Sequence, residues 1–363
     1  MLRIVFITNS IGFGGAEKML TFVANSLSER GHICAIVNLG AVPEYVNVYK
    51  QNIDEHIDVF NVKDKVQQKN RKAEIKAVAQ YAKEFHADVL IGFTNFPNMY
   101  ATIVGKMLKI PSIMSERGDP AITLPNTLKD RILKLIINSA SGGVFQTNGA
   151  KAYYGKRLQK RGSVIPNPIF IKGNVPNMPY EEHEKTVVSV GRFDNKQKRL
   201  DVMLQAFSVF SKKHPEYTLK IYGSGNDEHL VRQWCADLNI QDKVKFMGVT
   251  RTPMQDISDA GMFIITSDYE GISNSLLEAM AVGLPCVSTD HTPGGARLLI
   301  TDHENGLLAP IGDVDALAGA MCEFADNPEL AQKCGSNARD VVNRFEPSRI
   351  IDLWEDYIEK LCR

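Results

Sequence analysis

The chain has 363 residues, 44% hydrophobic and 23% charged, with Lys+Arg and Asp+Glu balanced at 42 each. This length exceeds a single core and predicts two domains of roughly 150 to 200 residues each; the composition excludes a disordered or fibrous chain. No apolar run reaches the roughly 18 residues that cross a bilayer, and the start MLRIVFITNS lacks the apolar core and cleavage site of a signal peptide, so a cytoplasmic protein is expected.

The zero net charge hides an asymmetry. Residues 1–170 carry 22 basic and 13 acidic side chains, the remainder 20 and 29. Eight of those bases fall in 129–161 (Lys129, Arg131, Lys134, Lys151, Lys156, Arg157, Lys160, Arg161) against Asp130 alone. They are either solvated helix faces or a contact for an anionic membrane surface, with Tyr153 and Tyr154 suited to an interface. No nucleic-acid reading motif accompanies them, so nucleic acid is not an expected partner. The six cysteines form no C-x-x-C pair, which argues against a disulfide framework or thiolate metal site and for small core residues.

Along the chain, LRIVFIT, HICAIVN, ADVLIGF, PSIMS and GGVFQT read as buried strands. Helical patterns near 15–29, 71–86, 98–108 and 126–139 lie between them. The segment IPNPIFIKGNVPNMPYEEHEK, with four prolines, interrupts the series as a linker. Alternation then restarts: TVVSVG, YTLKIYG, DKVKFMG, GMFIIT and PCVST interleave with helices near 198–213, 227–239 and 274–282. Two such series predict two parallel sheets covered by helices. A final helix carries Ile350, Leu353, Trp354, Tyr357, Ile358 and Leu361 on one stripe.

Three loops carry the chemistry. After GMFIIT, Ser273 or Asn274 caps a helix whose opening amides at Asn274, Ser275 and Leu276 form an anion site. Glu278 lies one turn deeper among apolar neighbours, a costly place for a carboxylate unless hydroxyls, a neighbouring backbone or an Arg bond to it. Glu270 stands in the loop before it, at a cleft mouth or as a plain surface acid. After TVVSVG, Arg192 and Lys198 flank a polar loop at the carboxyl end of a parallel strand, where a guanidinium and an ammonium suit a diphosphate. The first loop, with Gly12, Gly14 and Gly15, permits close backbone approach to a ligand. It is not G-x-G-x-x-G and no ribose-binding acid follows the second strand, which argues against a nicotinamide dehydrogenase.

Together, GGAE near the start, PNP at 166–168, VGRF with Lys198, YGSG, and the E-x7-E pair Glu270/Glu278 resemble the retaining glycosyltransferases of family 4. The resemblance implies an α/β fold of GT-B type: two facing Rossmann-like, doubly wound parallel-sheet domains. Residues 1–168 would be the N-terminal acceptor domain, 169–185 the linker and 186–345 the nucleotide-sugar domain. The helix at 346–363 would cross back to the N-terminal domain. It implies Arg192 and Lys198 on the donor diphosphate with the amides of Ser275 and Leu276 and with Gly15 of the opposite domain. Glu278 would hold the ribose, Glu270 the transferred sugar, and Gly248 and Val249 would face the base. Gly14 and Glu17 would lie near sugar or acceptor. Relatives carry a histidine after the strand PSIMS, where this chain reads SERGDP. Glu116 and Arg117 there would meet sugar, phosphate or acceptor, or else form a structural ion pair with each other or Asp119. Reaction with retention and without metal or other cofactor is implied.

The expected activity is transfer of a hexose or N-acetylhexosamine from a UDP-sugar to a glycan acceptor, polyprenyl-linked and met at the inner membrane face. The alternatives are a GT-B sugar-nucleotide epimerase and a GDP-sugar transferase with a soluble acceptor.

Overall fold

A computed structural model describes residues 1–12, 15–40, 52–67, 70–171 and 178–363. They fall into two units, Met1–Asn167 with Ser348–Arg363, and Pro168–Pro347.

Unit 1 holds a seven-stranded sheet in the order β3-β2-β1-β4-β5-β6-β7. Its strands are β1 Arg3–Thr8, β2 Ile33–Asn38, β3 Asp58–Asn61, β4 Val89–Phe93, β5 Ser112–Glu116, β6 Gly142–Phe145 and β7 Gly162–Val164, every neighbouring pair parallel. Strands β4, β5 and β6 are buried at every position, because helices cover both faces. One face packs on helix Gly15–Glu29 and the closing helix Pro347–Cys362, the other on Arg71–Glu84, Asn95–Leu108 and Leu128–Ile137.

From Ser348 on, the closing helix belongs to unit 1. It buries Ile350, Ile351, Trp354 and Ile358, and the Trp354 ring stacks on Phe93 at 5.8 Å between centroids. Burying that indole alone contributes about 3 kcal/mol. Polar contacts fix the helix in register: Arg30 pairs with Asp352 at 2.6 Å and Glu355 at 2.5 Å, and Gly143 N–H donates to the Tyr357 hydroxyl at 2.7 Å.

Unit 2 repeats the plan with six parallel strands ordered β10-β9-β8-β11-β12-β13. These are β8 Glu184–Val190, β9 Thr218–Tyr222, β10 Val244–Gly248, β11 Ala260–Ile265, β12 Cys286–Thr289 and β13 Leu307–Ala309. Part of the expected linker packs here: Ile169 is buried, its N–H donating to the Phe345 carbonyl at 2.8 Å, and β8 begins at Glu184. The apolar Ile169 side chain explains the difference. Five cysteines are buried free thiols and Cys362 is half-buried.

Candidate functional site

In unit 2 the strand order reverses between β8 and β11, the position at which open parallel sheets bind ligands beyond their carboxyl ends. The loops leaving these two strands are bound together. Asp268 N–H donates to the Gln197 carbonyl at 2.9 Å, Gln197 Nε2 to the Tyr269 carbonyl at 3.1 Å, and Thr266 Oγ1 to the Lys198 carbonyl at 2.9 Å. On this frame Lys198 and Glu270 meet in an ion pair, their side chains 15% and 12% exposed. Ser267 Oγ donates to the same carboxylate oxygen at 3.0 Å. Arg192 is exposed beside them, its Nη2 donating to Gln197 Oε1 at 3.2 Å. A small pocket lined by Gly191, Arg192, Lys198 and Thr266 opens at this point.

The YGSG stretch supports Arg192 from behind. A Cβ at Gly223 would lie 1.8 Å from the Gly191 carbonyl oxygen, and φ there is +141°, so glycine alone allows the loop after β9 to press on the loop after β8. Phe193 N–H then donates to the Ser224 carbonyl at 2.9 Å. Asp268 is also spent within the frame, pairing with Arg199 at 3.2 Å, and Arg199 in turn holds Asp201.

Helix Asn274–Ala281 opens behind Glu270 with Ser273 as its N-cap. Ser273 Oγ accepts the Leu276 N–H at 3.4 Å, so that amide, expected to face a ligand, is turned to the cap. Asn274 is exposed and Ser275 half-buried at the first turn. Glu278 corrects the sequence reading, which placed it among apolar neighbours on almost every side. It is half-buried, and it lies four residues after Asn274 and three after Ser275, on the same face of the helix. Leu276, Leu277, Ala279, Met280 and Ala281 take the buried faces. Gly248, at φ +72°, ends β10, and Val249 beyond it is 71% exposed.

Gln197, Ser267 and His291 join this neighbourhood although no motif marks them. The signal for Gln197 was its place between Arg192 and Lys198; that for His291 was its place two residues after β12. His291 is buried, and burial lowers its pKa against the opposing pull of Glu270, keeping the imidazole neutral.

In unit 1, Glu116 ends β5 and Arg117 follows it, and the two side chains have different partners. Glu116 accepts the N–H groups of Arg117 and Gly118 at 3.0 and 3.2 Å and the Tyr154 hydroxyl at 2.5 Å. Burial raises its pKa despite these bonds. Arg117 donates to Ser115 Oγ and Asn167 Oδ1, each at 3.0 Å, and its guanidinium lies beside the stacked Phe93 and Trp354 rings, 5.8 and 5.6 Å from their centroids. Burial pulls its pKa down to about 9. Among the described residues no side-chain ion pair joins Glu116 to Arg117, because each charge has a closer set of partners. Glu17 accepts from Ser10 Oγ at 2.8 Å, and Gly15 is exposed at the start of its helix. Gly14 lies outside the described residues.

The tyrosine hydroxyls of 129–161 are bonded within the protein. Tyr154 is buried on Glu116, and Tyr153 donates to the Leu124 carbonyl at 2.5 Å beneath the Lys134 ammonium. Among the described residues, His32, Glu355 and Glu359 bring possible metal ligands within 4.8 Å. His32 Nδ1 accepts the Leu2 N–H at 3.2 Å, which leaves the ring proton on Nε2, 2.9 Å from Glu355. That is a latch for the closing helix rather than a ligand set.

Residues 176–341 match the family model described as glycosyl transferases group 1. The chain is 26% identical to the Campylobacter jejuni GalNAc-alpha-(1->4)-GalNAc-alpha-(1->3)-diNAcBac-PP-undecaprenol alpha-1,4-N-acetyl-D-galactosaminyltransferase, over 98% of this chain and 97% of that one. It is 24% identical to an uncharacterized glycosyltransferase of Haemophilus influenzae, over 96% and 98%. Among solved structures, Anabaena HepE in complex with UDP matches with a TM-score of 0.84 at 19% identity, over 99% of this chain and 100% of that one, a likeness of fold.

Proposed function

We propose that the chain is a group 1 glycosyltransferase, the family whose model its residues 176–341 match, and that it moves a hexose or N-acetylhexosamine from a UDP-sugar to a hydroxyl of a lipid-linked glycan, with retention. The observation that carries this is the pairing of Lys198 with Glu270, beside Arg192, where the strand order of unit 2 reverses. An ammonium and a carboxylate held together serve the two halves of one donor. Lys198 and Arg192 neutralise the diphosphate as its bond to the sugar breaks, and Glu270 accepts hydrogen bonds from sugar hydroxyls. The amides of Asn274 and Ser275 add positive potential, Glu278 takes the ribose hydroxyls from the same helix face, and Gly248 and Val249 lie along the base.

As the anomeric carbon–phosphate oxygen bond opens, the acceptor hydroxyl attacks from the same face. Its proton passes to the departing phosphate oxygen. The positive charge that a divalent cation supplies in other transferases comes here from side chains and a helix start, so no metal is required. The UDP choice is supported by the UDP complex of the HepE fold relative, and the lipid-linked acceptor by the undecaprenol compound named for the Campylobacter enzyme. The protein would act at the cytoplasmic membrane face, where such acceptors are met.

Incubation with a panel of UDP- and GDP-sugars, with and without an undecaprenyl-diphosphate glycan, tests this. Acceptor-dependent UDP release with an α-linked product is expected. An epimer formed from UDP-sugar alone would favour the epimerase instead.

A further inference from the structure

We propose that the outer face of helix Leu128–Ile137, with the groove beside it, docks on an anionic lipid bilayer. Leu128, Ile132 and Leu135 recur at helical spacing and are 77%, 54% and 71% exposed, while Leu133 and Ile137 on the inner side are buried in the core. Ile122, in the segment before, is 44% exposed. The helix is thus apolar over a wider arc than its own core uses, which is how an interfacial helix is built. Next to the stripe runs a groove of about 380 Å³ walled by Phe96, Met99, Ile132 and Ile136, with Arg71 and Lys129 at its edge.

The charges select the partner. Lys129 and Arg131 are exposed on either side of the stripe, and the Arg71 guanidinium sits over the Phe96 ring at 4.8 Å. The helix's one acid, Asp130, is occupied in a capping box with Thr127, accepting its N–H at 3.1 Å. An apolar stripe bordered by the exposed cations Lys129 and Arg131 fits acyl chains below and anionic headgroups above. A two-fold contact between copies of this chain would set the same cations against one another, which disfavours that occupant.

This inference deepens the lipid-linked-acceptor reading and rests on it for its purpose. Its test reads binding without any donor, so the two fail separately. The full-length chain is sedimented with vesicles of phosphatidylglycerol and phosphatidylethanolamine and, in parallel, of phosphatidylcholine. Several-fold more protein should pellet with the anionic vesicles. L128S/L135S should lower that fraction at least fivefold with an unchanged melting temperature, and K129E/R131E should erase the preference for anionic lipid. Equal and negligible binding to both vesicles, or undiminished binding by L128S/L135S, would overturn the proposal. So would a dimer, seen by analytical ultracentrifugation, that L128S/L135S dissociates.

Discussion

Both sheets place charged residues at or just beyond the carboxyl end of a parallel strand, yet they use them in opposite ways. In unit 1, Glu116 and Arg117 are consumed by the protein: one by two amides and Tyr154, the other by Ser115, Asn167 and two aromatic rings. In unit 2, Lys198 and Glu270 meet each other and a serine hydroxyl, with Lys198 lining a small pocket and Arg192 exposed alongside. A charge surrounded by several backbone and ring partners stabilises a fold, whereas one held chiefly by a single counter-ion can be handed to a ligand. The same location in a sheet therefore says little about use until the partners are counted.

The sharpest way to break this contrast is Lys198→Ala. If the ammonium serves the reaction, kcat falls by about 10²- to 10³-fold, as for loss of one preorganised electrostatic contact, while the melting temperature stays put. Turnover near that of the native chain would remove Lys198 from the chemistry. Arg117→Ala should do the reverse. Losing its hydrogen bonds and ring contacts should cost about 2 kcal/mol of stability in urea unfolding, with kcat preserved in the folded fraction. A large kcat loss without loss of stability would return Arg117 to the substrate. Glu278→Gln refines the picture within unit 2, with an expected rise of about tenfold in donor KM and little change in kcat, since it removes binding common to ground and transition states. The smallest effect is that of excess EDTA, which should leave the rate unchanged. Inactivation reversed by Mg²⁺ would contradict a site whose positive charge comes from side chains alone.

Much of the fold is legible because strands covered on both faces read as unbroken apolar runs. VLIGF and GMFII show this, and both are buried throughout. Strands β3, β7 and β13 escape that signal because they are three or four residues long, and β3 and β7 are half-exposed. At the site, Arg192, Lys198 and Glu270 were visible from their positions after apolar runs. Glu278 was misjudged because its neighbours in sequence are apolar, although its neighbours on the helix face, Asn274 and Ser275, are polar. The fates of Glu116, Arg117 and Tyr154 were hidden for a different reason. Their partners lie far along the chain, at Asn167 and Trp354 for Arg117 and across 38 positions between Glu116 and Tyr154. No local pattern encodes such pairings.

Calorimetric titration of UDP and of uridine into the native chain and Lys198→Ala tests the diphosphate role most directly. The native chain should favour UDP over uridine by about 1.4 kcal/mol or more, a factor of ten, and Lys198→Ala should lose most of that preference. Undiminished discrimination by Lys198→Ala would mean that the diphosphate is held elsewhere.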